Sequence, residues 1–432
     1  MMKKLIALAL VTLVMMGSVF ANGKTETAAT TGKAVTLTFG SHQSGLPNTG
    51  IVQDIAKDFE AKTGIKIDFQ ISPDAQWRDL IKVKLDSGEA PDIICVDTPI
   101  DLMSSIKMAK YSVPLTGEEF YNRMTKESIA AVSENGVPYG ITFPGPKMWL
   151  VVYNKKIFSD LGLEIPTTYA DFKKVCQSIL DAGITPLFEC TTNGWHQVLP
   201  LFETGGLWLK DDPEIYNELN ANKKDLDDIP QLLEIIKEQK EFATLGYFGK
   251  DYLSNTWEDK IEPIGTGKVA MVIAELGIKT EIVKAYPQYK TSDFGQFVMP
   301  WADNQIIGVN PASNAYFINK ESKHVAEAKQ FFEFLATHEN LQKRFDGQID
   351  IASMCWPEIS TRFSEEENAY IKSKETARVV QTSVNYIDNQ WMDVGKDLES
   401  MFIGASTPEQ VLQTIMNRRN EQAKLQRDPG WN

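Results

Sequence analysis

The sequence predicts an α/β protein of two lobes, each a mainly parallel sheet flanked by helices, with crossing strands that join the lobes. Short apolar runs with the period of a strand alternate with longer runs of helical period from residue 35 onward. The same alternation begins again after a Gly/Pro-rich break at residues 140–146. At 432 residues the chain is also long enough for two or three domains, because a domain has about 150 residues.

The first lobe is predicted from the order strand, helix, strand, helix, strand. Residues 35–39 alternate apolar and polar side chains, as a strand does. A helix is expected over residues 51–62, and a second alternating strand follows at 65–71. A second helix then leads to the continuous apolar run 93–96, which is typical of a strand buried on both faces. This order is that of βαβ units and therefore predicts a mainly parallel sheet.

The second lobe is predicted to begin just after the Gly/Pro-rich break. Residues 142–147 are interpreted as the first crossing, and the strand 149–153 as the start of the new sheet. A second crossing is expected at residues 295–301. If Gly145 has a positive φ, a bulky β-branched residue in its place should alter closure of the lobes. The resulting division assigns residues 34–141 and about 298–318 to lobe 1, and about 146–294 and about 319–432 to lobe 2.

The first 33 residues are interpreted as an export segment and a linker. Lys3 and Lys4 precede an apolar run, residues 5–16, that is too short to span a bilayer, and Ala21 offers a small residue at a cleavage site. Residues 1–21 are therefore expected to be a Sec signal peptide, and 22–33 a flexible linker. Because no cysteine follows the apolar run, we expect a soluble periplasmic protein without a lipid anchor.

Composition excludes several classes of function. The net charge of −14 provides no electrostatic attraction for nucleic acid or for an anionic membrane surface. The four cysteines form no CxxC motif, and no HExxH occurs, so neither a metal site nor a cofactor is expected. A bridge between Cys176 and Cys190 is left open.

Catalytic motifs are also missing from the sequence. The segment 265–268, GTGK, lacks the upstream glycine of a phosphate-binding loop, and Val269 follows its lysine. There is no GxSxG or GxGxxG motif. We therefore predict no catalytic residues and a protein that is not an enzyme.

Polar side chains that follow the first and third strands are candidates for binding. His42 and Gln43 come just after the first strand, and Asp97 comes just after the third. In an open parallel sheet, ligands bind beyond the carboxyl ends of the strands. These three residues could equally be ordinary loop residues.

Tryptophans in polar or Gly/Pro-rich surroundings are the second group of candidates. An indole face can cover the C–H face of a sugar ring, while carboxylate, amide or imidazole groups bond its hydroxyls. Trp195 with His196, and Trp257 with two acidic neighbours, combine both features. Trp77 is expected in the core and Trp431 on the terminal surface.

Four segments, taken in order, resemble the extracellular solute-binding proteins of the family that includes the maltose-binding protein. They are FEAKTGIKI at 59–67 with SGEAPDII at 87–94, GVPYG at 136–140 with YNKKIF at 153–158, GKVAM at 267–271, and AKQFFEFL at 328–335. The resemblance covers nearly the whole chain after the export segment. It implies the type II-like periplasmic binding protein fold, with two lobes that close on a sugar by a hinge motion.

The resemblance also implies further site residues. In this family the strand after the GKVAM segment leads to a Gly-x-Trp motif whose ring stacks on sugar. This chain has Glu275 in that region and no such tryptophan, so Glu275 is a candidate for hydrogen bonding. Trp391 and Trp356 lie where related proteins have cleft residues. Trp301, beside the second crossing, and Asn310 complete the expected site.

The predicted function is capture of a mono- or oligosaccharide between the lobes and delivery to the permease of an ABC transporter. We expect a monomer whose partners are the small-molecule ligand and the permease, with no nucleic acid. Two alternatives remain open from the sequence. The same fold could bind a polyamine or a phosphate ester, or an exported glycoside hydrolase could use a pair of carboxylates.

Overall fold

The computed structural model describes residues 35–97, 108–311 and 314–431. The predicted signal peptide and linker lie outside these residues. The predicted α/β class is confirmed, because two mixed sheets are each covered by helices on both faces. The strands are β1 Thr36–His42, β2 Lys66–Ser72, β3 Ile93–Asp97, β4 Ser133–Glu134, β5 Val137–Pro138, β6 Gly140–Thr142, β7 Leu150–Asn154, β8 Thr185–Phe188, β9 Val269–Ala274, β10 Phe294–Phe297, β11 Ile307–Val309, β12 Asn314–Ile318 and β13 Thr376–Arg378.

The first sheet has five strands in the order β2-β1-β3-β12-β6. Strand β1 pairs in parallel with β2 and β3, whereas β12 runs antiparallel to both β3 and β6. Four of the five strands therefore point the same way. Successive residues of β3 enter different cores: Cys95 packs with Phe39 on one face, and Ile94 packs with Trp77 on the other. A sheet covered on both faces has such continuous apolar strands.

The second sheet has four strands in the order β10-β7-β9-β8. Strand β7 is antiparallel to β10 and β9, and β8 is parallel to β9, so three of the four share a direction. Every residue of β9 is buried, since Ala270 and Ile273 face one core and Val272 and Ala274 face the other. Most strands of each sheet share one direction, but one reversed strand in each makes both sheets mixed rather than mainly parallel in their pairing.

The helices divide between the two sheets according to the core into which they pack. Helices on the first sheet are Ile51–Thr63, Asp74–Ser87, Met108–Tyr111, Lys126–Ala131, Val325–Leu335 and His338–Gly347. Helices on the second are Lys155–Leu161, Tyr169–Asp181, Leu199–Phe202, Gly206–Asp211, Ile215–Asn220, Pro230–Leu245, Ile261–Gly265, Ile278–Ala285, Glu365–Lys372, Trp391–Phe402 and Pro408–Leu425.

The structure differs from the predicted division of the chain after residue 318. Residues 319–432 were expected in lobe 2, but helix Val325–Leu335 packs Phe331 and Phe332 into the core of the first sheet, next to Phe59. The apolar face of this helix was visible in the sequence. The sheet that would cover it was not, because residues separated by more than 250 positions form that core.

The connections between the sheets also differ from expectation. Residues 143–149 do connect β6 of the first sheet to β7 of the second. The second crossing is wrong by about ten residues, since Val298 and Trp301 remain in the cores of the second sheet. The chain instead passes between the sheets near Asn310, whose backbone exchanges hydrogen bonds of 3.0 and 2.8 Å with Lys147.

A third connection lies beside the first two. The Gly145 amide donates to the Ser353 carbonyl at 2.9 Å, and Pro144 and Met354 form an antiparallel bridge. The expectation of a positive φ at Gly145 is wrong. Glycine is required there for another reason: a Cβ would overlap the Ser353 side chain. Close packing of two connecting segments, and not turn geometry, explains this residue.

The burial of the cysteines and of Trp431 bears on two smaller expectations. All four cysteines are buried and unbridged, so the structure contains no Cys176–Cys190 disulfide. Trp431 is only 8% exposed rather than a surface residue, because its indole lies over the Arg419 guanidinium.

Candidate ligand-binding site

A cavity of about 270 Å³ lies between the two sheets and receives side chains from both. The carboxyl ends of β1 and β3 open into it, which is where a parallel sheet is expected to bind a ligand. Its lining consists of His42, Ser44, Asp74, Trp77, Arg78, Val96, Asp97, Lys147, Trp149, Trp195, Leu199, Glu203, Trp257, Glu275, Asn310, Asn314, Asp350, Gln381, Asp388, Trp391 and Met392.

His42 is the buried cation of the first-sheet wall. Its Nδ1 lies 3.3 Å from Asp74 Oδ1, and its Nε2 lies 3.8 Å from Asp97 Oδ1. Burial alone would lower the pKa of His42, but these two carboxylates outweigh it and raise the pKa to about 10. Ser44 Oγ is 3.2 Å from His42 Nδ1. A histidine that keeps its proton cannot act as a base toward this hydroxyl, so the contact is structural.

Arg78 links the two walls of the cavity. Its helix, Asp74–Ser87, packs on the first sheet, whereas Asp388 belongs to the segment that packs on the second. Arg78 NH1 donates to the Asp388 carbonyl at 2.6 Å and lies 3.2 Å from the Asp388 carboxylate, while NH2 is 3.5 Å from Asp97. Burial raises the pKa of Asp388 to about 6, partly opposed by Arg78.

Three partly buried tryptophans form the second-sheet wall. The centroids of Trp149, Trp195 and Trp257 are 5.2 to 6.0 Å apart, and each pair is arranged edge to face. Trp391 supports this group by donating its Nε1–H to the Trp195 carbonyl at 3.0 Å. The arrangement places apolar ring surface at a cavity that charged and amide groups also line. That combination suits a ligand with one apolar face and a polar rim.

His196 lies behind the tryptophans and does not reach the cavity. It is fully buried, with Nδ1 2.6 Å from Glu189 Oε1 and Nε2 2.9 Å from the Ile273 carbonyl. Burial would lower the pKa of His196, but Glu189 outweighs it and raises the pKa. Both ring nitrogens face acceptors, an arrangement that favours the protonated ring, and the ring centroid lies 5.1 Å from that of Trp257.

The buried group around His196 does not fit a metal ion. Ligand atoms of Glu189, Cys190 and His196 lie within 4.8 Å of one another. However, both nitrogens of His196 are already engaged with the Glu189 carboxylate and the Ile273 carbonyl, an arrangement that favours donation from both and disfavours a free lone pair for a cation. Burial also raises the pKa of the Cys190 thiol, so the thiolate that a metal requires is disfavoured.

Seven of the eleven residues expected in the site line the cavity, and four do not. The seven are His42, Asp97, Trp195, Trp257, Glu275, Asn310 and Trp391. Gln43 is exposed and does not line the cavity, and His196 is buried behind the indoles. Trp301 is fully buried against Phe172 and Phe242, and Trp356 packs on Phe143 in the first core. Trp301 and Trp356 are therefore core residues, because apolar neighbours surround both rings.

Sequence reasoning missed several lining residues. Trp149 had been assigned to a strand, but β7 begins one residue later and leaves the indole at the cavity. Lys147 and Asp350 belong to the connecting segments. Arg78 and Asp388 can be recognised as site residues only from their contact with each other. No local motif marks any of these residues, since each becomes part of a site by long-range packing.

These features define a class of protein: a two-lobed α/β protein that encloses a small ligand between its lobes. The family model of the bacterial extracellular solute-binding proteins matches residues 45–342. The chain therefore belongs to this family, and the resemblance noted in the sequence is confirmed. No helix among the described residues combines the length and apolar character needed to cross a bilayer.

Two relatives have known ligand classes. The multiple sugar-binding protein of Streptococcus mutans is 24% identical over 302 residues, covering 68% of this chain and 70% of that protein. The diacetylchitobiose-binding protein DasA of Streptomyces coelicolor is 25% identical over 207 residues, which is 46% of this chain and 45% of that protein.

Solved structures share the fold over nearly the whole chain. A chitin oligosaccharide binding protein superposes with a TM-score of 0.76, at 18% identity over 90% of this chain and 99% of that one. A solute-binding protein of Thermotoga lettingae, bound to α-D-tagatose, has a TM-score of 0.71 at 18% identity, with coverages of 90% and 99%. Such likeness confirms the two-lobed periplasmic binding protein fold.

Proposed function

We propose that this protein captures a carbohydrate in the cavity between its lobes and delivers it to the permease of an ABC transporter. The observation that carries the proposal is the cluster of Trp149, Trp195 and Trp257 facing carboxylates and amides across one cavity. Indole faces cover the C–H surface of a sugar ring, and the polar groups bond its hydroxyls. The sugar-binding relatives support the same class of ligand.

Binding works through closure of the lobes. A sugar that contacts both walls binds the closed form more tightly than the open form, and so shifts the balance toward closure. The permease then distinguishes loaded from empty protein by the shape of the closed form. No chemical step is required, and we propose that the protein is not an enzyme and acts as a monomer.

Location is part of the same proposal. The family is extracellular, and the signal-like residues 1–21 favour export to a periplasm without a lipid anchor. N-terminal sequencing of the protein recovered from periplasmic extracts should begin after Ala21. Recovery in the membrane fraction would contradict the unanchored form.

Titration with mono- and oligosaccharides, followed by intrinsic fluorescence and calorimetry, tests the function. Trp195→Ala and Trp257→Ala should each weaken binding by about tenfold, or about 1.4 kcal/mol, since each removes a large aromatic surface from the cavity wall. Trp431→Phe is the control, because this ring packs away from the cavity. No binding across a broad panel would overturn the proposal. Release of product from a chromogenic glycoside would point to the hydrolase alternative instead.

A further inference from the structure

One end of the cavity contains more carboxyl groups than cations. Glu203, Glu275 and Asp350 line it together with Lys147, whose Nζ lies 3.8 Å from Glu275 Oε1. Arg362, which interacts electrostatically with Asp350, directs its guanidinium to backbone carbonyls of residues 345, 348 and 351. Lys260 pairs with Glu281 at 3.3 Å. Among the residues that line the cavity, Lys147 is therefore the lysine that these three carboxyl groups share.

Several oxygens at this end have no hydrogen-bond partner within the described residues. Glu203 is 2% exposed, and its Oε1 accepts from Gln381 at 2.7 Å while its Oε2 is unpartnered. Gln381 Oε1 and Asp350 Oδ1 are likewise buried and unpartnered. Leaving a buried polar atom unpaired costs about 1–3 kcal/mol, so these oxygens favour a ligand that donates hydrogen bonds.

The raised pKa values of two of these carboxyl groups also favour a ligand that donates hydrogen bonds. Burial, and then the charge of Glu275, raises the pKa of Glu203 to about 8. Burial also raises the pKa of Glu275 to about 7, with Lys147 opposing and Asp350 adding to the rise. Two ionised carboxylates repel each other when they are buried side by side, so both groups tend to keep their protons. A positive group between them would favour their ionised forms.

The indoles at the same cavity provide a second attraction for a cation. The face of an indole carries negative charge density and attracts an ammonium group within about 6 Å. Trp149 and Trp195 line the cavity, whereas Trp257 already has the Lys260 ammonium 4.5 Å from its ring centroid. Carboxylates next to an aromatic group are the usual surroundings of a bound amine.

We propose that the ligand is a saccharide with a protonated amino group, which binds at Glu203, Gln381 and Asp350 while its ring packs against the tryptophans. This inference rests on the proposed function, because it specifies the kind of sugar. An ammonium group has three N–H donors, and the three unpartnered oxygens are acceptors. An N-acetyl group, in contrast, would bring a bulky neutral substituent to a desolvated acidic site.

Other charged groups line the same cavity. They form pairs among themselves, with His42 and Arg78 as the cations. The acidic partners there are Asp74, Asp97 and Asp388. Three carboxylates thus face two cations in that group, whereas three carboxyl groups line the Glu203 end with Lys147.

Calorimetry with matched sugars tests the inference. The β-1,4 disaccharide of glucosamine, its N,N′-diacetyl form and cellobiose differ only in the C2 substituent, and galactosamine, N-acetylgalactosamine and galactose extend the comparison. At pH 6.5 the amino sugar should bind at least about tenfold more tightly than either counterpart. Measurements in buffers of different ionisation enthalpy should show release of about one proton, because the cation favours ionised carboxylates.

Two variants and a control distinguish the effect of a lost carboxylate charge on binding from an effect on folding. Glu203→Gln and Asp350→Asn keep the shape of the side chain and should each reduce the preference for the amino sugar by about tenfold. Glu238→Gln should not, although burial raises the pKa of Glu238 to about 8 as well, since this residue lies outside the cavity. Neutral sugars binding as tightly as the amine would overturn the inference and leave the proposed function intact. Binding of no sugar would overturn both.

Discussion

At the scale of single residues, charge pairing decides which polar groups can be buried at the cavity. His42 is 6% exposed and remains charged because Asp74 and Asp97 lie on either side of its ring. A buried ion without such partners would lose its charge or destabilise the fold. The sequence placed His42 and Asp97 correctly, because both follow strands of one parallel sheet. It could not identify Asp74, whose position depends on how the next helix packs.

The pH dependence of stability should report this pairing. His42→Gln should lower the free energy of unfolding by about 3 kcal/mol near pH 6, as expected when a buried ion pair loses one partner. The pKa of His42 is about 10 in the fold and about 6.5 when unfolded. Its stabilising contribution is therefore complete below pH 6.5 and is lost as the pH rises toward 10.

Urea unfolding of both proteins between pH 6 and pH 10 measures that difference. The gap between wild type and variant should narrow steadily over this interval. His324→Gln serves as the control, because that ring is partly exposed and lies outside the cavity. A gap that stays constant with pH would contradict a protonated His42.

At the scale of elements, the connecting segments are as closely packed as the cores. Residues 143–149 lie between the segment of Asn310 and that of Ser353, with backbone hydrogen bonds to both. The Gly/Pro composition of this stretch was enough to predict a crossing. It did not reveal that two other segments cover it, since those are more than 150 residues away.

Gly145→Ala tests this packing. The new methyl group would overlap the Ser353 side chain, and overpacking of this kind costs about 1–3 kcal/mol. Adding Ser353→Gly removes the overlapping atoms, so the double variant should recover most of the lost stability. Urea denaturation of both variants provides the measurement. An unchanged stability of Gly145→Ala alone would show that the segments can separate without cost.

At the scale of the whole molecule, one arginine joins the two lobes across the ligand cavity. Arg78 contacts both the carbonyl and the carboxylate of Asp388, and it is held on its own side by Asp97. We expect these contacts to be lost when the lobes separate, because Arg78 packs on the first sheet and Asp388 belongs to the segment that packs on the second. They stabilise the closed form without a ligand and thereby raise the apparent affinity, because less of the binding energy is used for closure.

Arg78→Ala should shift the empty protein toward an open form. Small-angle X-ray scattering should give a larger radius of gyration for the variant without ligand, and affinity should fall by about tenfold, or about 1.4 kcal/mol. Arg418→Ala is the matched control, since Arg418 pairs with Asp397 within a single lobe. Equal scattering curves for the two variants would show that Arg78 does not hold the lobes together.

The sequence alone predicted the α/β class, the strand and helix order of the first lobe, and the edge of the first sheet that opens into the cavity. These properties follow from periodicity and strand direction, which are local. Only the tertiary structure decided which tryptophans face the cavity. Trp301 and Trp356 occur in the same kind of sequence as Trp195 and Trp257, but apolar neighbours from distant segments bury them.

Two further features of the molecule also depend on the tertiary structure. Helix Val325–Leu335 carries an apolar face that either sheet could have covered, and the first sheet covers it. Arg78 and Asp388 are 310 positions apart, and neither has a sequence pattern that indicates the other. Burial and ion pairing depend on which surfaces meet in space, so no local pattern determines them.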